Sequence, residues 1–145
     1  DYAVLLMSHM TREPTRVHAA VDMADDTRLP VPTVSKILAT MARAGLLESI
    51  RGRDGGYRLA FHPRDITVEQ IISAVDGPIA LTVCLESRGV SCELEDICPS
   101  QPNWRRINDA LRHALMGVSL AEISTPVPLN FELQPLTRER NFNFS

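Results

Sequence analysis

Apolar residues recur along this chain with a helical period, and one short stretch breaks that period into alternation. Residues 2–11 are largely apolar and predict a first helix, ended at Arg12-Glu13-Pro14. Val17, Ala20, Val21 and Ala24 fall at i, i+3, i+4 and i+7, predicting a short second helix with Thr15 upstream as a candidate N-cap. After the tight connection Thr27-Arg28-Leu29-Pro30, Val34, Ile37, Leu38 and Met41 form the stripe of a third helix. Pro32 suits its first turn, where a missing N–H costs nothing, and Gly45 ends it. At about 100° per residue, the opposite face carries Pro32, Ser35, Lys36, Ala39, Thr40 and Arg43. That face is small, polar or basic throughout.

Residues 46–51 and 57–61 then read as two short strands joined by Gly52-Arg53-Asp54-Gly55-Gly56, whose glycines supply the backbone angles of a tight hairpin. Thr67-Val68-Glu69-Gln70 matches a capping box; Ile71, Ile72 and Val75 follow it, and Asp76-Gly77-Pro78 ends that helix. Residues 84–102 have the character of a loop. From about Asn103 to Met116 the helical period returns in Trp104, Ile107, Leu111, Ala114 and Leu115, with Gly117 just beyond. This amphipathic helix either joins two subunits or packs on its own domain. Residues 124–145 contain three prolines and no clear period, and read as a tail.

These elements predict a mainly α fold with a small β-hairpin: a winged helix-turn-helix followed by a long C-terminal helix. We expect a DNA-binding domain at 1–79, a cysteine-containing loop at 80–102, a dimerisation helix and its end at 103–123, and the tail at 124–145. The length of 145 residues suits one such domain with an appendage. The chain opens abruptly inside an apolar run, Asp1-Tyr2-Ala3-Val4-Leu5-Leu6-Met7, so native residues are expected before it. No apolar stretch approaches the roughly 20 residues that cross a bilayer, and a cytoplasmic protein with no membrane partner is expected.

Charge sharpens the picture. The net charge is −3, but residues 28–64 carry seven Lys and Arg against two Asp and Glu. A surface for double-stranded DNA therefore belongs in that window. Thr33, Ser35 and Lys36 lie near the start of the candidate recognition helix, where base edges and phosphates are normally reached, with Pro32, Thr40 and Arg43 on the same face. Arg51 and Arg53 in the wing suit phosphates or a narrow minor groove. The competing reading is a winged helix serving as a protein–protein module, with its charges simply solvated.

Cys84, Cys92 and Cys98 are the chain's three cysteines. An odd number within one short segment does not suit a secreted disulfide framework. The spacing, seven residues and then five, is too wide for a zinc ribbon. Widely spaced thiolates can instead wrap a polynuclear iron–sulfur cluster, and Cys98-Pro99 matches the Cys-Pro that often closes such motifs. Free structural or redox-active thiols are the alternative. Three thiolates leave a cluster one ligand short, and Asp1, Gln101, Glu93, Glu95, Asp96 or an external ligand are candidates for the fourth. His9, His18, His62 and His113 read as surface or interface residues. No nucleotide-binding glycine motif, Cys-x-x-Cys pair or nucleophile–base pattern favours an enzyme.

Taken together, Asp1-Tyr2-Ala3, Pro32-Thr33-Val34-Ser35-Lys36, Arg51-Gly52-x-x-Gly55-Gly56-Tyr57-Arg58-Leu59-Ala60 and the three cysteines resemble the Rrf-type family of winged-helix regulators (IscR-, NsrR- and RirA-like) over about residues 1–123. The stretch from Cys98 to Asn108, with Val118-Ser119-Leu120-Ala121-Glu122, is most similar to the branch that regulates the SUF iron–sulfur assembly operon. The resemblance implies a homodimer joined by the helix after the cysteine loop, bound to a pseudo-palindromic promoter site. It implies repression governed by a cluster held on Cys84, Cys92 and Cys98. In the IscR-like branch, a His three residues after the last Cys completes a 2Fe-2S site; here that position is Gln101. In the NsrR-like branch, an Asp at the position of Asp1 reaches a 4Fe-4S cluster from the partner subunit. Cluster type and fourth ligand stay open, as do a nitric-oxide-responsive regulator and a cluster-free thiol or zinc sensor on the same scaffold.

Overall fold

The computed structural model describes residues 2–85, 92–93 and 97–125. The candidate ligands Asp1, Glu95 and Asp96 and the tail beyond Thr125 lie outside the described residues. The order of elements is α1 (Tyr2–Met10), α2 (Ala20–Thr27), α3 (Val31–Arg43), β1 (Leu47–Ile50), β2 (Gly56–Leu59), α4 (Val68–Asp76), α5 (Gln101–Met116) and α6 (Leu120–Ile123). Short 3-10 turns stand at Pro63–Asp65 and Val83–Leu85. It is the expected mainly helical winged helix-turn-helix with a two-stranded antiparallel hairpin.

The predicted stripe of α3 faces inward, with Val34, Leu38 and Met41 fully buried and Ile37 packed beside them. Against it stand Ala3, Leu6, Met7 and Met10 of α1, and Met23 and Ala24 of α2. Met7, Met10, Met23 and Met41 share this core; their unbranched thioether chains fill irregular gaps between helices. Leu47 pairs with Leu59 across the hairpin, and both are buried, so the base of the wing is anchored in the same core.

The second helix departs from expectation. It begins at Ala20, its N-cap is Ala19 with no side-chain hydrogen bond, and Thr15 plays no capping role. Val21 is exposed, and the buried face is Met23 and Ala24, with Ala20 packed beside them. Residues before Ala19 are drawn out of the helix because His18 bridges to Tyr57 of β2. The His18 N–H donates to the Tyr57 carbonyl (2.8 Å), and the Tyr57 N–H donates to the His18 carbonyl (2.9 Å). His18 is consequently only 7% exposed and packed within its own domain, where a surface or interface residue was expected. Its ring meets that of His9 edge-on, and His9 lies 3.1 Å from Asp26.

The capping box of α4 forms as its sequence predicts: Gln70 N–H donates to Thr67 Oγ1 (3.2 Å), and Thr67 N–H donates to Gln70 Oε1 (2.9 Å). Helix α5 starts at Gln101, two residues earlier than predicted, with Pro102 in its first turn. After α5 the chain turns back. Val68 N–H donates to the Val118 carbonyl (2.9 Å) and Leu120 N–H to the Ile66 carbonyl (2.7 Å), which seats the Leu120 side chain fully inside the core. No helix among the described residues is long and apolar enough to cross a membrane.

Candidate functional site

Helix α3 and the β1–β2 wing carry the candidate DNA-binding residues. On α3, Pro32, Lys36 and Arg43 are exposed, and Thr33, Ser35 and Thr40 are half-buried. All six occupy the face away from Val34, Leu38 and Met41. Thr40 is engaged within its own helix: its hydroxyl donates to the Lys36 carbonyl (2.9 Å) and accepts from Arg43 Nη2 (3.0 Å). That hydroxyl orients the Arg43 guanidinium. Arg51 and Arg53 are exposed in the turn of the wing.

Not every cation of the basic window is equally available. Arg58 lies opposite Glu48 in the hairpin, and its Nε and Nη2 both donate to that carboxylate. Outside that window, Arg16, just before α2, is also paired, with Glu13; the bond and its charge hold the Glu13 carboxyl below, and the guanidinium above, their ordinary ranges. Among the described residues, Lys36, Arg43, Arg51 and Arg53 have no carboxylate partner. With Arg28 and Arg64, likewise exposed and without a carboxylate partner among the described residues, they are the charges of that window left to meet an anionic ligand.

The wing is placed by two glycines whose role is steric. A β-carbon on Gly55 would overlap the Ile50 carbonyl, and one on Gly56 would overlap the His18 carbonyl at the bridge to α2. Gly56 also takes φ +157°. The paired glycines therefore allow the wing to close on itself and to lie directly on the backbone that leads into α2. The glycine pair was visible in the sequence, but its partner His18 was not: nothing in its local pattern marks it as the contact.

Cys84, Cys92 and Cys98 are half-buried free thiols. Cys84 sits in the Val83–Leu85 turn with its Sγ 3.2 Å from Thr82 Oγ1, and Cys98 lies three residues before α5. Gln101 is the first residue of α5, and Glu93 is exposed. Among the described residues, no three Cys, His, Asp or Glu side chains converge closely enough to hold a metal ion. The donor chemistry, three thiols on one segment, nevertheless suits iron or an iron–sulfur cluster.

Sequence reasoning also missed Asn108, the one buried residue of α5. Its Oδ1 accepts from Leu81 N–H (3.0 Å), and its Nδ2 donates to the Ile79 carbonyl (3.0 Å). Around it the apolar side of α5 is open, with Trp104 40% and Ile107 49% exposed. On the following turn, Arg112 reaches Glu69 of α4 (3.3 Å).

Comparison with known proteins agrees with this layout. The fold is similar to the structure of CymR, "the Global Cysteine Regulator of B. subtilis", with a TM-score of 0.66 and 28% identity, covering 85% of this chain and 90% of that one. It is similar to the T. potens IscR structure, with a TM-score of 0.58 and 26% identity over 84% of this chain and 80% of that one. In sequence, the chain is 29% identical over 122 residues to the HTH-type transcriptional regulator IscR of Aliivibrio salmonicida, covering 84% of this chain and 69% of the relative. Over 99 residues it is 27% identical to the HTH-type transcriptional regulator NsrR of Shouchella clausii, covering 68% of this chain and 66% of that relative. Residues 1–126 match the Rrf2 family profile, described as an iron-dependent transcriptional regulator. The chain therefore belongs to the Rrf2 family, DNA-binding transcription regulators rather than enzymes, built here on a winged helix-turn-helix.

Proposed function

We propose that this regulator is an iron–sulfur sensor that binds a pseudo-palindromic promoter as a homodimer in the cytoplasm and represses an iron–sulfur assembly operon of the SUF type. The observation that carries the DNA-binding half is the set of unpaired cations on α3 and the wing: Lys36 and Arg43 beside Thr33 and Ser35, with Arg51 and Arg53 beyond. A helix with a small polar face fits the major groove, and flanking arginines fit phosphates or the minor groove. The Lys36→Ala variant is expected to weaken promoter binding and to reduce the salt dependence of log K by about one counterion. Titrations at several salt concentrations check this, and an unaltered slope removes Lys36 from the phosphate contacts.

Cys84, Cys92 and Cys98 would hold the cluster, with Asp1 or Gln101 as candidate fourth ligand; Gln101, at the start of α5, is three residues from Cys98. When bound, a cluster supplies a group that is lost to iron shortage, oxidants or nitric oxide. The cysteine segment then changes conformation as its thiolates gain or lose metal, and α5 carries the change to the dimer. Exposed Trp104 and Ile107 support α5 as the pairing helix. A shift of a few ångströms between two recognition helices matters because half-sites lie about 34 Å apart and must be met together.

A cluster-free thiol sensor is the second reading. It is supported by the three cysteines themselves, which are free, half-buried thiols. Absorption spectra with iron and sulfide counting on anaerobically purified protein separate the two. Protein free of iron and sulfide that still responds to thiol oxidation selects the second reading.

A further inference from the structure

We propose that Asn108 is a positioning residue for the thiol segment: it latches residues 79–81 onto α5 and so holds Cys84 in place relative to Cys98, at the foot of the same helix. This rests on the reading of the three cysteines as the sensing groups.

Asn108 is buried on a helix whose neighbouring positions are largely exposed. A buried amide is costly unless its donor and its acceptor are both engaged. Here the two atoms bond the backbone on either side of Ala80, accepting from Leu81 N–H and donating to the Ile79 carbonyl, partners 27 and 29 residues away in sequence. The side chain thus stands in for the edge of a strand, pairing with one N–H and one carbonyl of an irregular segment. Leucine would fill similar space and offer neither backbone group a partner.

The position of the latch gives it its consequence. Leu81 lies three residues before Cys84, and Cys98 lies three residues before Gln101, where α5 begins. Both ends of the cysteine segment are therefore fixed to α5, one by the chain itself and the other by Asn108. Cys84 and Cys98 are thus both tied to α5, each within a few residues of its anchor. One turn later, Arg112 bonds Glu69 of α4, a mostly buried carboxylate that also accepts from the Ser73 hydroxyl (3.1 Å). Helix α4 packs on α1 and α3, so the latch sits at the head of a continuous contact from the thiols to the recognition helix.

The test uses the full chain, reduced and metal-free, with timed iodoacetamide alkylation of each cysteine followed by mass spectrometry. In Asn108→Leu, alkylation of Cys84 should accelerate about tenfold, with Cys98 changing far less, because local opening at 79–85 then breaks two fewer part-buried hydrogen bonds. Asn108→Asp keeps the acceptor for Leu81 but sets a second acceptor oxygen against the Ile79 carbonyl, so it should also accelerate Cys84; it carries the comparison if the leucine variant does not fold. A Cys84 rate unchanged in both variants overturns the latch, as does equal acceleration of all three thiols. In a second arm the protein is loaded anaerobically with ferrous iron and sulfide. Loss of iron to a chelator about tenfold faster in Asn108→Leu supports positioning, and equal retention overturns it. Wild-type protein that retains no iron overturns the cluster reading instead, and the latch then stands or falls on Cys84 alkylation.

Discussion

Gly56→Ala is expected to lower the stability of the fold by about 3 kcal/mol and to weaken promoter binding about tenfold or more. The new β-carbon would overlap the His18 carbonyl and crowd the Ala19 amide. Both are backbone groups and neither can rotate away. Relief requires the wing and the start of α2 to separate, which breaks the two hydrogen bonds between His18 and Tyr57. Those bonds contribute about 1 kcal/mol each, and the strained φ adds about 1 kcal/mol more. In a chain of this size, a loss of that order should lower the melting temperature by roughly 10 °C. The affinity falls for a connected reason: Arg51 and Arg53 ride on the wing, and a displaced wing removes up to two of the proposed phosphate contacts at once. Thermal melting and promoter titration check both parts. A melting temperature within about 2 °C of the wild type would show that the bridge does not hold the wing.

Cys92→Ala is expected to abolish the visible absorption of anaerobically purified protein and to give it the promoter affinity of metal-free wild type. The central thiolate separates Cys84 from Cys98 by seven residues on one side and five on the other. Its removal leaves two thiolates for a group that ordinarily takes four cysteine ligands. If the cluster governs binding, loaded and metal-free wild type should differ about tenfold in affinity, a typical coupling between sites. The variant should show no such difference after exposure to iron and sulfide. Iron retained in the variant at wild-type stoichiometry removes Cys92 from the ligand set. Equal affinity of loaded and metal-free wild type would sink the sensing mechanism while leaving DNA binding intact.

The recognition helix was legible because its signals are local. Val34, Leu38 and Met41 repeat at the helical period, and all three are fully buried. Pro32 and the capping box of Thr67 and Gln70 act within one turn of the chain, so a short window of sequence contains the whole interaction. The wing was legible in outline from its glycines and its alternating strands, and the observed strands are one or two residues shorter at each expected end except at Tyr57, where β2 starts one residue earlier. The basic window was legible as a count, but not which of its charges are free. Arg58 is matched by Glu48 only because the hairpin register sets residues ten apart opposite each other.

By itself, then, the sequence determined the helix-turn-helix and wing, the polar face from Pro32 to Arg43, and the presence of three thiols on one segment. These follow from side-chain periodicity and from caps and turns that close over a few residues. Tertiary structure alone decided where α2 begins, which cations stay unpaired, how Leu120 returns to complete the core, and that Asn108 ties the cysteine segment to α5. The pairing of Arg58 with Glu48 depends on the hairpin register, and the other three depend on a backbone group meeting a partner far along the chain: His18 with Tyr57, Leu120 with Ile66, Asn108 with Ile79 and Leu81. A polar backbone group in the interior must find a partner wherever the fold supplies one, and local sequence carries no mark of which partner that will be.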